Sequence, residues 1–186
     1  MVRSADTASE ARPPARWGAH WSEFSMRFVK ESRIAAPPST VFAFHETPGA
    51  LSLLTPPWEK VEVVEGGGTL LPGSRVVLRT KFGPLSLRWV AEHTEYEQGR
   101  LFADRQVSGP FAEWSHRHLF LDDGAGGCLM RDEVDYEPPL GMLGRILGAD
   151  LIRKKLADLF DYRHETVRRI VEEGQVPVDG SPPLST

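Results

Sequence analysis

Residues 112 to 121 read Ala-Glu-Trp-Ser-His-Arg-His-Leu-Phe-Leu, with a large ring at every second position from 114 to 120. Successive side chains on a strand point to opposite faces, so Trp114, His116, His118 and Phe120 share one face. Glu113, Ser115, Arg117, Leu119 and Leu121 share the other, wetter face, which turns the rings inward. Two imidazoles on a bulky apolar face are costly unless each finds a hydrogen-bond partner or a cavity that admits water. The pattern therefore points to an internal pocket.

Similar alternation recurs along the chain. A first strand is expected over Met26 to Ala35, and others over 58–65, 74–82, 85–97, 100–108, 112–122 and 127–137. Between them stand Gly66-Gly67-Gly68, Gly83-Pro84, Gly99, Gly109-Pro110 and Asp123-Gly124-Ala125-Gly126-Gly127. Links this short imply an antiparallel meander. After the first strand, Pro37-Pro38-Ser39-Thr40 opens a short helix through Phe44, and a second runs from Gly49 to Leu54 before Thr55-Pro56-Pro57 stops it. From Leu140 to Glu173, apolar residues including Leu147, Leu151, Leu156, Phe160, Val167 and Val171 recur at helical spacing, predicting a long amphipathic helix ended by Gly174. The sum is an α+β fold: a curved antiparallel sheet of six to seven strands, two short helices after the first strand, and a C-terminal helix covering the apolar side. A strongly bent sheet around one helix rarely fills perfectly, and the leftover volume is a ligand cavity in expectation.

The same parity places Val76, Leu78, Thr80 and Phe82 inside on one strand and Leu87, Trp89, Ala91 and His93 on the next. Phe102 and Asp104 follow, then Met130, Asp132, Val134 and Tyr136. Their neighbours, among them Arg75, Arg79, Arg88, Glu92, Arg131, Glu133 and Asp135, are mostly charged and read as outward. A tight turn near Gly109 pairs residues that set Asp104 opposite His116, and the next turn sets Asp132 opposite or diagonal to His118. Each carboxylate would favour the protonated imidazole and fix its tautomer.

Composition narrows the partners. The formal charge of −4 offers no general attraction for nucleic acid or an anionic membrane surface, and no segment reaches the ~20 apolar residues of a membrane span. The single Cys128 excludes an internal disulfide and reads as an inert strand residue, which suits a cytoplasmic protein. Residues 1–24, with Trp17 and Trp21, read as a flexible leader, 25–174 as the domain and 175–186 as a frayed tail. A homodimer is compatible with this composition.

No cofactor or metal is expected, because one His-x-His pair on a strand is too little to specify an ion, and no Ser-His-Asp order or nucleotide fingerprint assembles. His45 reads as an exposed helix-end cation or a lid residue at the cavity mouth. Trp58, Trp89 and Trp114 read as core more than as ligand platforms. The glycine run at 66–68 opens no helix and is no phosphate cradle.

Several stretches carry a family likeness: Val41-Phe42-Ala43-Phe44-His45, Leu54-Thr55-Pro56-Pro57-Trp58, Phe102 through Phe111, Trp114-Ser115-His116-Arg117-His118 and Asp132-Glu133-Val134-Asp135-Tyr136. Over residues 26–173 the chain resembles the START-like SRPBCC superfamily, the helix-grip fold of polyketide cyclases and Bet v 1-like proteins. Its nearest likeness there is to bacterial ligand-binding members of unassigned function. The resemblance implies a deep apolar cavity between sheet and terminal helix, entered near the short helices and loops. It transfers no catalytic set residue by residue.

The expected function is binding of a small hydrophobic molecule: a lipid, polyketide, isoprenoid or aromatic. Leu78, Phe82, Trp89, Phe102, Trp114, Phe120, Met130, Leu156 and Phe160 are the expected wall, and Asp104, His116, His118 and Asp132 the polar end. The alternative is a cyclase- or dehydratase-like enzyme with His116 or His118 as general acid–base, beside Asp104 and Asp132.

Overall fold

The computed structural model describes residues 25–82, 85–139 and 141–174, with backbone alone at 81–82, 85 and 141–147. Alternating side chains form β1 (Met26–Ile34), after which two prolines interrupt the ladder and α1 (Pro38–Glu46) begins with Pro38 in its first turn. Thr47 closes α1 by donating its Oγ1 to the Phe44 carbonyl at 2.6 Å. The one-turn α2 (Ala50–Leu53) starts from Gly49, whose φ of 83° suits glycine.

Six consecutive strands follow: β2 (Val61–Gly66), β3 (Arg75–Phe82), β4 (Leu85–Glu97), β5 (Leu101–Ser108), β6 (Glu113–Asp122) and β7 (Cys128–Glu137). The chain then enters α3 (Gly141–Glu172). The strands make one seven-stranded sheet in the order β1-β7-β6-β5-β4-β3-β2, antiparallel at every step. So β2 to β7 are the expected meander, while β1 returns past the helices to pair with β7. The glycine run begins where β2 bends into its turn: Gly66 has a φ of 77°, and a Cβ there would lie 1.9 Å from the Arg75 carbonyl oxygen.

The apolar interior divides into two clusters. One joins Ile34, Val41, Phe42, Phe44, Phe120 and Met130 to Val167 and Val171 of α3; the other joins Trp114, Val134, Tyr136, Leu156 and Phe160. Phe42 meets Tyr96, Phe102 and Phe120 edge-on, the arrangement that aromatic quadrupoles favour. Predicted inward positions Val76, Ala91, Phe102, Trp114, His116, Asp132, Val134 and Tyr136 are all buried. The side chain of Phe82 lies outside the described part, as do the leader tryptophans Trp17 and Trp21 and the tail.

The outer face departs from simple wetness. Val77 and Val90 oppose one another there and are buried, as are Ala103 and Glu133. Glu133 is covered by arginines, with Arg131 Nη2 at 2.7 Å and Arg117 Nη1 at 3.9 Å. The same sheet carries cross-strand ion pairs such as Arg27–Asp135 and Arg75–Glu92–Arg105. Trp58 corrects the core expectation: it is 58% exposed and leans its edge on Tyr162 of α3, because the prolines before it hold it in a surface loop.

Candidate functional site

Hairpin geometry sets Asp104 opposite His116 and His118 opposite Asp132. The side chains then converge on Asp132. Its Oδ1 lies 2.8 Å from His116 Nε2 and 2.7 Å from His118 Nδ1, and its Oδ2 lies 2.7 Å from Nε2 of His164 on α3. Asp104 stands across the same two imidazoles, its Oδ2 3.7 Å from His116 Nδ1 and 3.7 Å from His118 Nε2. His93 is paired with Asp104 across β4 and β5, and its Nδ1 meets Ser74 Oγ at 3.2 Å. Thus the expected separate acid–imidazole pairs form instead one connected cluster, with Asp132 as its hub.

Burial works against every charge in this cluster, and the neighbours decide which charges persist. Burial pushes the Asp132 carboxyl up, but the His118 charge and the bonds from His116, His118 and His164 outweigh it and hold the group well below the ordinary carboxylate range. Asp104 is lowered in the same way, against burial, by His118 and His116. The rings of His116 and His118 are 3.8 Å apart, too close for both to be charged cheaply. His116 is pushed down by burial and by its neighbour's charge, while His118 is raised, because the two carboxylates outweigh its burial.

Beside the cluster lies a cavity of about 810 Å³. The sheet contributes Leu78, Leu87, Trp89, Ala91, Phe102 and Trp114 to its wall. Leu51 and Leu54 close it from α2 and its end, and Ile152, Leu156 and Leu159 from α3. His45, His93, His116, His118 and Asp104 bring the polar groups to the same wall. A second hollow of about 900 Å³, lined by Lys30, Trp58, Asp161, Tyr162 and Arg168, is an open charged groove between β1 and α3. Lys30 pairs there with Asp161, and Arg168 with Glu165.

Of the expected site residues, Leu78, Trp89, Phe102, Trp114 and Leu156 reach the cavity, together with Asp104, His116 and His118. Phe120, Met130 and Phe160 do not; they are buried in the packed clusters beside it. Asp132 stands behind the imidazoles. His118 stacks on Phe102 with centroids 4.0 Å apart and rings 19° from parallel, which fixes its plane.

Two contributors escaped the sequence reading, and a third, His45, was expected as an exposed helix-end cation or a lid residue at the cavity mouth. His164 occupies the polar step in the stripe Leu156, Phe160, His164, Val167, Val171, and that position on the buried face of α3 was its signal. Arg163 donates Nε to the Leu54 carbonyl at 3.2 Å and lies 5.4 Å over the Phe160 ring, at the cavity wall. His45 is turned inward, not out to solvent: Nδ1 meets the Val41 carbonyl at 2.8 Å and the ring packs among Phe44, Phe102 and Phe120.

The part of the His45 ring left accessible faces the cavity, and burial, with the nearby His118 charge, lowers its pKa to about 3. The unfolded imidazole takes its proton near 6.5, the folded one only near 3. Below pH ~6.5 the unfolded chain therefore binds more protons and stability falls with pH; above it this ring contributes no slope. Urea unfolding at pH 7 and pH 5 is expected to show about 1–2 kcal/mol of acid loss from this group, allowing for water in the cavity. His45→Phe should flatten the slope by that amount, leaving the contributions of His93 and His116, which shift in the same direction.

A sequence model of the polyketide cyclase/dehydrase and lipid transport family matches residues 34–160, from the end of β1 well into α3. The chain belongs to that family. No curated protein matches it significantly. Among solved structures, the Zhui aromatase/cyclase from Streptomyces sp. R1128 aligns with a TM-score of 0.54 at 20% identity, over 78% of this chain and 96% of that one. A START superfamily protein from Mycobacterium smegmatis aligns at 0.59 and 14% identity, over 79% and 97%. Norcoclaurine synthase from Thalictrum flavum, solved with dopamine and hydroxybenzaldehyde, aligns at 0.60 and 16% identity, over 80% and 87%. At these identities the likeness is one of fold, and the fold of this family member is the helix-grip fold expected from its sequence. No helix among the described residues is long and apolar enough to cross a membrane.

Proposed function

We propose that this chain holds a small hydrophobic molecule, a lipid, polyketide, isoprenoid or aromatic, in the cavity between sheet and α3. The observation that carries the reading is the cavity itself: about 810 Å³ of space walled by aliphatic and aromatic side chains, with the imidazoles and Asp104 gathered on one part of the wall. Ligand sites are typically ~300–1,000 Å³, largely apolar, with a few placed polar groups. Leu78, Trp89, Phe102, Trp114 and Leu156 supply affinity in this reading. Asp104, His116 and His118 orient the polar end, and Asp132, Phe120, Met130 and Phe160 hold them from behind.

Two groups say more about the ligand. Trp89 Nε1 is buried without a hydrogen-bond partner among the described residues, so an acceptor on the ligand would relieve a cost of about 1–3 kcal/mol. No carboxylate lies within ion-pair distance of Arg163 among the described residues, and burial depresses its pKa. A ligand with an oxygen-bearing, partly anionic end fits both. The family's description includes lipid transport, and the norcoclaurine synthase structure was solved with small aromatics; both support the reading.

Native mass spectrometry of the intact protein, followed by organic extraction, tests it. The expected result is a mass increment on the folded chain matching an extracted lipid or aromatic. A chain that stays empty, even after incubation with a panel of fatty acids, isoprenoids and aromatic polyketides, would sink the proposal.

A further inference from the structure

We propose that Asp104, His116 and His118 form a binding site for one divalent first-row transition-metal ion at the polar end of the cavity, with Asp132 as the residue that positions its two imidazoles. One donor atom from each of His116, His118 and Asp104 can be chosen so that all lie within 4.8 Å of one another. The two imidazole–carboxylate separations are 3.7 Å each. Two donors each about 2.1 Å from a common ion, at the tetrahedral angle, sit roughly 3.4 Å apart. Each imidazole–carboxylate separation is therefore a few tenths of an ångström wider than in a loaded site, and side-chain rotations would close it.

The tautomers fit the same role. His116 Nε2 and His118 Nδ1 both face Asp132 Oδ1, and an N–H on each would be held there. The opposite nitrogens, His116 Nδ1 and His118 Nε2, face Asp104, and a metal ion entering there would displace the second proton that the two carboxylates favour on His118. Metal-binding histidines are characteristically held this way, with the second ring nitrogen donating to a carboxylate. Stacking of His118 on Phe102 and the edge contact of His116 with Phe160 lock the ring planes. A ligand set of two imidazoles and one carboxylate suits Zn²⁺, Fe²⁺ or Co²⁺ and leaves coordination positions open. Here those positions face the cavity, because Asp104, His116 and His118 all lie on its wall.

Charge balance points the same way. Asp104 and Asp132 bring two carboxylates into the interior, and among the described residues no lysine or arginine stands within ion-pair distance of either. The proton on His118 offsets one of these charges, and a dication that displaces it would balance both.

The test is titration of the untagged full chain, stripped with chelator and freed of organic ligand, with Zn²⁺ in competition with a chromophoric chelator, and separately with Co²⁺ followed by its visible absorption. One equivalent of Zn²⁺ per chain and an intense Co²⁺ spectrum typical of four or five ligands are expected. Asp104→Asn should weaken Zn²⁺ binding and His118→Phe, which preserves the stack on Phe102, should abolish it. Asp132→Asn should cost roughly 10- to 100-fold in affinity. Circular dichroism and thermal melting establish that each variant is folded; if His118→Phe does not fold, Asp104→Asn, at the cavity edge, decides alone. Absence of stoichiometric binding, or binding that the folded variants retain in full, overturns the proposal. The site does not depend on the hydrophobic ligand: an empty chain that binds metal and a metal-free chain that binds lipid are distinct results, so each reading fails separately.

Discussion

Asp132→Ala is expected to destabilise the chain by about 3–5 kcal/mol, the usual cost of removing one partner from a buried charged network. Asp132 is only 4% exposed, and its carboxylate is approached by imidazole nitrogens of His116, His118 and His164 at 2.7–2.8 Å. Deleting it leaves those buried donors without their acceptor, each worth about 1–3 kcal/mol, and leaves the charged form of His118 without its main counterion. Water entering from the cavity relieves part of this, which keeps the total below the sum of the parts. His164, whose polar contact with the sheet among the described residues is with Asp132, also loses the bond that docks this turn of α3. Urea unfolding monitored by tryptophan fluorescence measures the loss at pH 7. For contrast, Glu62→Gln breaks the exposed Arg79–Glu62 pair and should change stability by less than ~0.5 kcal/mol. A loss below about 1 kcal/mol for Asp132→Ala would show that the network is not what holds sheet and helix together there.

Much of this site was legible because the relevant geometry is local. Period-two alternation identified the inward face of each strand, and tight turns between neighbours fixed the register that sets Asp104 against His116 and Asp132 against His118. Parity has a limit, however. It says which side of the sheet a ring is on, not whether that side meets a void or another element. Phe120 and Met130 have the same parity as His118, yet α1 and the end of α3 pack over them and leave no room for a ligand. His164 lies 32 positions from Asp132, on an element whose docking angle no local pattern encodes. His45 posed the same difficulty, since a helix-end histidine is polar by sequence and was pulled inward by the packing of α1 against β6. Trp58 erred the other way: aromatic character suggested the interior, and the proline-bounded loop kept it at the surface.

The largest functional effect is expected from filling the hollow without touching its polar end. Ala91 and Leu87 lie on β4 with side chains on the cavity wall, away from the Asp132 network, and their outer neighbours Arg88 and Glu92 face the opposite side. Ala91→Trp combined with Leu87→Trp puts two indoles into space that a ligand would take. Because they enter a void and not a packed core, the usual overpacking penalty of about 1–3 kcal/mol should be largely avoided and the fold retained. Affinity rests on apolar area buried at roughly 25 cal/mol per Å², so excluding ligand from ~100 Å² or more of wall removes at least about 2.5 kcal/mol, roughly 60-fold. The most direct measurement is a fluorescence titration of both proteins with 8-anilinonaphthalene-1-sulfonate, whose rings suit the wall and whose sulfonate suits Arg163, with near-ultraviolet circular dichroism to establish native packing. The account predicts saturable one-to-one binding to the natural chain and at least a ~60-fold weaker affinity in the filled variant. Equal binding by both folded proteins, or none by the natural chain, would contradict it.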